Sequence, residues 1–256
     1  MTRPRKVGQQ LRLFDEQLPQ VHRVLHAPLA VRTSRRAQRL ILRLVPPHTL
    51  ELVVPRGARP PEIEAFVAEH RDWIERARAE IAERYGAESG RLPAKIELRA
   101  VGQSWDLDYV HAPQRRPSWS VGGERLKVST RDADHAGAPQ VLRAWLVEQG
   151  SLHLKPWLLR EAQTVGLAPT RVQVRLQRTR WGSCSPTGNI SVNASLLFLE
   201  PAVVRYLLIH ELCHLRWMNH SKRYWAHVER FEPDYRRLDR QLSKAWADVP
   251  LWVHDH

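Results

Sequence analysis

Two histidines and a glutamate stand in one short stretch of the chain, at a spacing that suits metal chemistry. The stretch reads His210-Glu211-Leu212-Cys213-His214 and continues an apolar run that begins at Pro201. Residues four apart on a helix lie on one face, so the imidazoles of His210 and His214 can converge on one tetrahedral ion. Glu211 then projects to where a zinc-bound water would sit and can accept its proton. The pattern predicts zinc-dependent hydrolysis with Glu211 as the general base.

A catalytic zinc keeps one coordination position open, so three protein ligands are expected. We expect the helix to continue to about Met218 and to end at Asn219, a residue type that tolerates the left-handed backbone common at helix ends. His220 follows this reversal and can fold back toward the metal, which makes it the predicted third ligand. Glu229, on the next predicted helix, is the alternative third ligand.

Hydrophobic periodicity predicts what surrounds this stretch. Val203 and Leu207 continue the face that carries the two histidines, so that face is also the buried one and the ligands would lie in a walled cleft. Residues 171–177 alternate like a strand, and residues 189–193 follow a turn. These two strands are predicted to form a hairpin just before the helix.

The first half of the chain is predicted to be rich in strands. Residues 39–45 and 50–55 read as a hairpin, and a helix is expected from Pro60 to near Gly86. Three further strands are expected, over residues 96–101, 105–110 and 125–129.

A polar break at residues 132–139 separates this half from a long amphipathic helix, predicted over roughly residues 139–165, which Gly150 and Pro156 can bend. We take the break as a boundary between lobes. The predicted fold class is therefore α+β, with three parts. They are a loosely attached leader over residues 1–27, a strand-rich N-terminal lobe over residues 28–135, and a catalytic lobe over residues 136–256.

The composition is that of a globular chain with excess positive charge. Hydrophobic residues make up 43% of the 256 residues, and 40 Lys and Arg against 27 Asp and Glu give a net charge of +13. No apolar run approaches the roughly 20 residues that cross a bilayer, and no apolar signal-peptide core follows the basic start. No membrane partner is therefore expected. Two cysteines, Cys184 and Cys213, favour a reducing cytoplasm, with a single bridge between them as the open alternative. The chain carries no signal for an oligomeric state.

Several short motifs resemble the bacterial YgjP-like metallopeptidase family. They are Thr179-Arg180-Trp181-Gly182-Ser183-Cys184-Ser185, Asn193 with Leu196-Leu197-Phe198, the stretch from His210 to Leu215, and Asn219-His220-Ser221 with Trp225. With Val53-Val54-Pro55 and the helix around Trp73, the resemblance spans roughly residues 30 to 250. Tyr224 stands where the family often has Phe.

The resemblance implies a zincin-like catalytic lobe, in which the active helix lies beside a β-hairpin or sheet. It implies a zinc metallopeptidase that is distantly similar to SprT-like proteases, which act on DNA-bound proteins. The family pattern maps onto His210, Glu211, His214 and His220 without a gap. It does not supply a substrate.

Arg180, Trp181 and Cys184 belong to these motifs, but their residue types define no mechanism. Zinc-water chemistry needs no cysteine nucleophile, so a structural use of Cys184 is favoured. Trp181 can either line the cleft or pack. In zincins an extended peptide commonly pairs with the strand beside the active helix, and the predicted hairpin from 171 to 193 is the candidate for that role.

The leading hypothesis is an enzyme that hydrolyses a protein or peptide substrate. The alternative is a nucleic-acid-associated module with a structural zinc, whose basic surface makes weak contacts to phosphates. Structural zinc sites usually have four ligands rich in Cys, whereas this site offers three His beside a Glu, which favours the enzyme. A catalytically inactive scaffold is a third hypothesis.

Overall fold

The computed structural model of the protein describes residues 29–45, 49–85 and 91–254. Its contacts divide the chain into two compact units, Met1–Ser89 and Gly90–His256. The predicted leader over residues 1–27, the connection at residues 46–48 and the helix end at Gly86 lie outside the described residues. Both units combine helices and strands, so the chain has a mixed α+β fold.

The first unit is a three-stranded sheet with two helices. Its elements are β1 (Leu29–Ser34), β2 (Ile41–Val45), β3 (Thr49–Pro55), α1 (Pro60–Glu69) and α2 (Arg71–Tyr85). Antiparallel pairing of β2 with β3 confirms the predicted hairpin, and β1 pairs with β3 in parallel. The predicted single helix is broken at His70, where the backbone N–H and the ring Nδ1 both meet the carbonyl of Phe66.

The second unit opens with a four-stranded sheet. Its strands are β4 (Lys95–Leu98), β5 (Gln103–His111), β6 (Ser118–Gly122) and β7 (Arg125–Thr130), in the order β4-β5-β7-β6. The three predicted strands are present, although the first ends at Leu98 because a 3-10 turn follows at Arg99–Val101. The edge strand β6 was not predicted, because its mostly exposed side chains leave no alternating apolar pattern.

The long helix α3 (Ala138–Val165) confirms the predicted amphipathic helix and contains both Gly150 and Pro156. Trp145 of α3 meets Trp105 of β5 edge to face, with ring centroids 5.2 Å apart. The helix therefore shares one core with the four-stranded sheet. The predicted lobe boundary lies near residue 135, within the second of the two compact units, which meet in the sequence between Ser89 and Gly90.

A second three-stranded sheet lies next along the chain, formed by β8 (Arg171–Arg175), β9 (Gly182–Cys184) and β10 (Asn189–Asn193). The prediction that β8 and β10 form a hairpin is wrong, because these two strands pair in parallel. The segment between them contains the additional short strand β9, which pairs antiparallel with β10 and forms the actual hairpin. The strand order β8-β10-β9 leaves β9 at one edge of the sheet.

Three helices complete the unit: α4 (Pro201–Cys213), α5 (Lys222–Phe231) and α6 (Tyr235–Lys244). Helix α4 begins at Pro201 as predicted, but the expected continuation to Met218 is wrong. Tightened turns follow Cys213, with the N–H groups of Arg216 and Trp217 both donating to its carbonyl. Among the described residues, no helix is long and apolar enough to cross a membrane.

Candidate metal centre

The structure brings the three predicted histidines together. His210 lies in the last turn of α4, His214 caps its C-terminus, and His220 lies in the connection to α5. Their ring nitrogens include a set that lies within 4.8 Å of one another. In the described part of the chain, these three residues form the one group of three or more His, Cys, Asp or Glu side chains that lie close enough together to hold a metal ion.

The geometry of the group fits a tetrahedral metal ion. The Nε2 atoms of His210 and His220 are 3.2 Å apart. Two nitrogens bound to zinc at about 2.0–2.1 Å with tetrahedral angles would lie about 3.3 Å apart. The two imidazoles are therefore already at the spacing that a shared ion requires.

Hydrogen bonds on the other ring nitrogens orient two of the histidines. His214 Nδ1 donates to the carbonyl of Trp217 over 3.0 Å, which leaves its Nε2 without a proton. His210 Nδ1 lies 3.4 Å from the hydroxyl of Tyr206. Such outward contacts are the usual way in which proteins fix the tautomer of a metal-binding histidine.

The electrostatics of the cluster favour neutral imidazoles, the form that binds metals. Burial lowers the pKa of His210 to about 3, with smaller contributions from the neighbouring His214 and His220. Burial also lowers the pKa of His214, although the carbonyl of Trp217 partly opposes this shift. Both rings are therefore uncharged near neutral pH.

Glu211 is almost fully enclosed, with 5% of its surface exposed. Burial raises the pKa of its carboxyl group to about 8, and the positive charge of Arg180 acts in the opposite direction. The backbone of β9 approaches this side chain closely at Gly182, where a Cβ atom would lie 2.5 Å from Glu211 Oε1. The strand beside α4 therefore forms one wall around the carboxyl group.

Aromatic rings from the next helix pack against two of the histidines. Trp225 stacks on His220 with centroids 5.4 Å apart, and Tyr224 stacks on His214 with centroids 4.6 Å apart. Ser221 caps α5 by accepting a hydrogen bond from the N–H of Tyr224, which fixes the start of the helix that carries both rings. His220, although exposed, is thus held by a tryptophan from the next helix.

The alternative third ligand, Glu229, is exposed on α5 and does not belong to the histidine group. The pKa of the neighbouring Arg236 is raised mainly by its hydrogen bond with Tyr235, and the negative charge of Glu229 contributes less to this shift. Within the described residues, the structure groups His220 with His210 and His214.

The three unexplained motif residues have different surroundings. Trp181 is buried and stacks on Trp246 with centroids 4.0 Å apart, so it packs. Both cysteines are free. Burial and the nearby Glu211 raise the pKa of the Cys184 thiol to about 11, and burial raises that of Cys213 to about 12, which leaves neither as a thiolate near neutral pH. Arg180 is exposed.

Several residues that shape the site carry no recognisable signal of that role in the sequence. The fully buried Asn193 donates from Nδ2 to the carbonyls of Gln177 and Arg180 and accepts from the N–H of Ser195. It thereby fixes the segment that leads into β9. Tyr206 and Asp239, whose side chains meet each other next to His210, gave no signal because 33 residues separate them in the sequence.

Comparison with protein families decides what kind of protein this is. The family model described as YgjP-like, metallopeptidase domain, matches residues 38–245. The chain belongs to the YgjP-like metallopeptidase family. This confirms the resemblance found in the sequence motifs, and it places the histidine cluster inside the matched metallopeptidase domain.

A solved structure similar to this YgjP-like chain is the metallopeptidase zymogen of Pyrococcus abyssi abylysin. The identity is 28%, the alignment covers 35% of this chain and 92% of that chain, and the TM-score is 0.32. A comparison with curated proteins gives no significant match.

The close approach of β9 to Glu211 in this YgjP-like domain leads to a prediction about stability. Gly182→Ala should lower the free energy of unfolding by roughly 1–3 kcal/mol, because the added methyl group would overlap the buried Glu211 side chain. In a Glu211→Ala background the same change should cost less than about 0.5 kcal/mol. Denaturant unfolding of the four proteins measures this difference. An equal cost in both backgrounds would show that the overlap is not with Glu211.

Proposed function

We propose that the chain is a zinc-dependent metallopeptidase that hydrolyses peptide bonds, with His210, His214 and His220 as the zinc ligands. The observation that carries this proposal is the convergence of three imidazoles beside an enclosed glutamate that is not one of them. Membership of the metallopeptidase family supports the same reaction class. Three protein ligands leave a fourth position open, as catalytic zinc sites do.

Zinc bound there would supply a Lewis acid for the scissile carbonyl group and would lower the pKa of a coordinated water toward about 7. The three histidines would hold the ion through one unprotonated ring nitrogen each. Glu211 lies next to His210 on α4 and faces the wall formed by Gly182. From this position its carboxylate would accept the proton of the attacking water and later deliver it to the leaving nitrogen.

Strand β9 is the proposed docking edge for the substrate. It lies at one edge of its sheet, and its first residue, Gly182, touches Glu211. An extended peptide that paired with this edge would run past the carboxyl group and the histidine cluster. Backbone pairing of this kind gives affinity without requiring a particular sequence.

A structural zinc site is the competing hypothesis, and the chemistry of the donor set argues against it. Structural sites are usually closed by four ligands, several of them cysteines. Cys184 and Cys213 lie outside the metal-capable group of the described residues, and their thiols stay protonated. We further expect the protein to act in the cytoplasm, where two free cysteines are stable.

Weak nucleic-acid contact is a second proposal, favoured by the net charge of +13 and by one aromatic cluster. The guanidinium groups of Arg216 and Arg223 lie 5.9 Å and 5.8 Å from the ring of Trp217. Such a group can contact phosphates and stack on bases. Trp217 is also the residue whose carbonyl accepts the hydrogen bond from His214.

The ligand set predicts the metal content of variants. The purified protein should hold about one zinc per chain, and His210→Ala or His214→Ala should lose most of it. His220→Ala should lose zinc as well, whereas Glu229→Ala, which changes an exposed carboxylate on α5, should retain it. Metal analysis by mass spectrometry after dialysis measures these contents. Zinc loss by Glu229→Ala together with full retention by His220→Ala would contradict the assignment of the third ligand.

The role of Glu211 predicts a loss of activity without a loss of metal. Glu211→Gln keeps the size of the side chain and removes the proton acceptor, so fold and zinc content should stay unchanged. Hydrolysis should fall by roughly two to four orders of magnitude. Degradation of a denatured protein and self-cleavage, with and without a chelator, are the assays. Equal, chelator-sensitive turnover by both proteins would exclude Glu211 as the general base.

Binding to nucleic acid, if it rests on phosphate contacts, should depend steeply on salt. Affinity for duplex DNA should show little sequence preference, and the logarithm of the binding constant should fall linearly with the logarithm of the salt concentration. The double change Arg216→Ala with Arg223→Ala should reduce the slope. Fluorescence anisotropy at a series of salt concentrations gives this measurement, and no binding even at low salt would refute the second proposal while leaving the catalytic one intact.

A further inference from the structure

The side chain of Tyr206 links the histidine cluster to another helix. Tyr206 lies one turn before His210 on α4 and is fully buried. Its hydroxyl oxygen lies 2.7 Å from Asp239 Oδ1 and 3.4 Å from His210 Nδ1. The hydroxyl donates a hydrogen bond to this carboxylate oxygen of Asp239. The phenol oxygen then offers a lone pair to the imidazole.

This arrangement decides which nitrogen of His210 carries the proton. To use the lone pair of Tyr206, His210 must be protonated on Nδ1, which leaves Nε2 bare. Nε2 is the atom that lies 3.2 Å from His220 Nε2 in the cluster. The tautomer that the tyrosine favours is thus the one that can bind a metal through Nε2.

The two histidines of α4 reach this state by different means. His214 donates from Nδ1 to a backbone carbonyl, that of Trp217, and no single side-chain substitution removes that acceptor. His210 depends on two side chains, one from α4 and one from α6. Asp239 itself is exposed, so the chain of contacts runs from the surface of α6 to the partly buried ring of His210.

We propose that Tyr206 and Asp239 are positioning residues that set the tautomer and ring orientation of His210 for metal binding. This inference rests on the proposed function, because it assumes that His210 is a ligand. Asp239 acts without touching the imidazole. If its carboxylate is removed, the phenolic proton becomes available to His210 Nδ1, and the imidazole then carries its own proton on Nε2, where it blocks coordination.

The first test measures the tautomer in the metal-free, full-length protein by nitrogen-15 NMR of the histidine rings. His210 should be protonated on Nδ1 in the wild type and should shift toward the Nε2-protonated form in Asp239→Ala. Asp234→Ala is the matched control. It also removes an exposed carboxylate from α6, at the start of the helix, but this carboxylate pairs with Arg237 and not with Tyr206. Tyr224→Phe, which removes a hydroxyl that bonds to the backbone carbonyl of His210, should leave the tautomer unchanged.

The second test measures zinc affinity by competition with a chromogenic chelator. Tyr206→Phe and Asp239→Ala should each bind zinc about 10–100-fold more weakly than the wild type, the usual effect of losing a partner that orients a ligand. Asp234→Ala should match the wild type. If the wild type retains zinc but Asp239→Ala has the same His210 tautomer and the same zinc affinity as the wild type, this inference alone is overturned. A wild type that binds no zinc would overturn the proposed function and this inference together.

Discussion

The burial of helix α4 is the constraint on which the site depends. Tyr206, Leu208, Ile209 and Leu212 have no exposed surface, so the helix is enclosed on more than one side. Its last turn therefore carries polar side chains into surroundings that disfavour charge. Burial keeps the imidazole of His210 neutral and raises the pKa of Glu211 to about 8. A cation in the cluster would reverse the second effect, because positive charge favours the carboxylate.

The position of helix α4 must be fixed, because a shift by one turn would separate His210 and His214 from His220. Arg205, on the flank of α4, contacts Glu161 of the long helix α3 over 3.4 Å and Glu232 at the end of α5 over 2.6 Å. Both carboxylates are mostly buried, so removing Arg205 would leave two enclosed carboxylates without their shared guanidinium partner, at a cost in stability. This network joins the helix that carries His210 and His214 to the segments on either side of it.

The local part of the site could be predicted from the sequence, because it depends on short spacings. The four-residue interval places His210 and His214 at one end of α4, and His220 is grouped with them although the helix ends at Cys213 and not near Met218. The sheet beside them was predicted only in part, since alternation in residues 171–177 shows a strand but not its partner. Parallel pairing of β8 with β10 became possible because β9 occupies the intervening chain, and three residues are too few to show a period.

The part of the site that the sequence does not predict consists of contacts between residues distant in the chain. These contacts give helix α6 a role that its sequence does not suggest. Asp239 reaches His210 through Tyr206, and Tyr235 stacks on Trp225, which in turn stacks on His220. Tyr235 and Asp239 are four residues apart and therefore lie on one face of α6. A single face of α6 thus supports the partly buried His210 and the exposed His220 at once, without contributing a ligand. Displacement of α6 would disturb both rings together, so the geometry of the cluster depends on how this helix packs against α4.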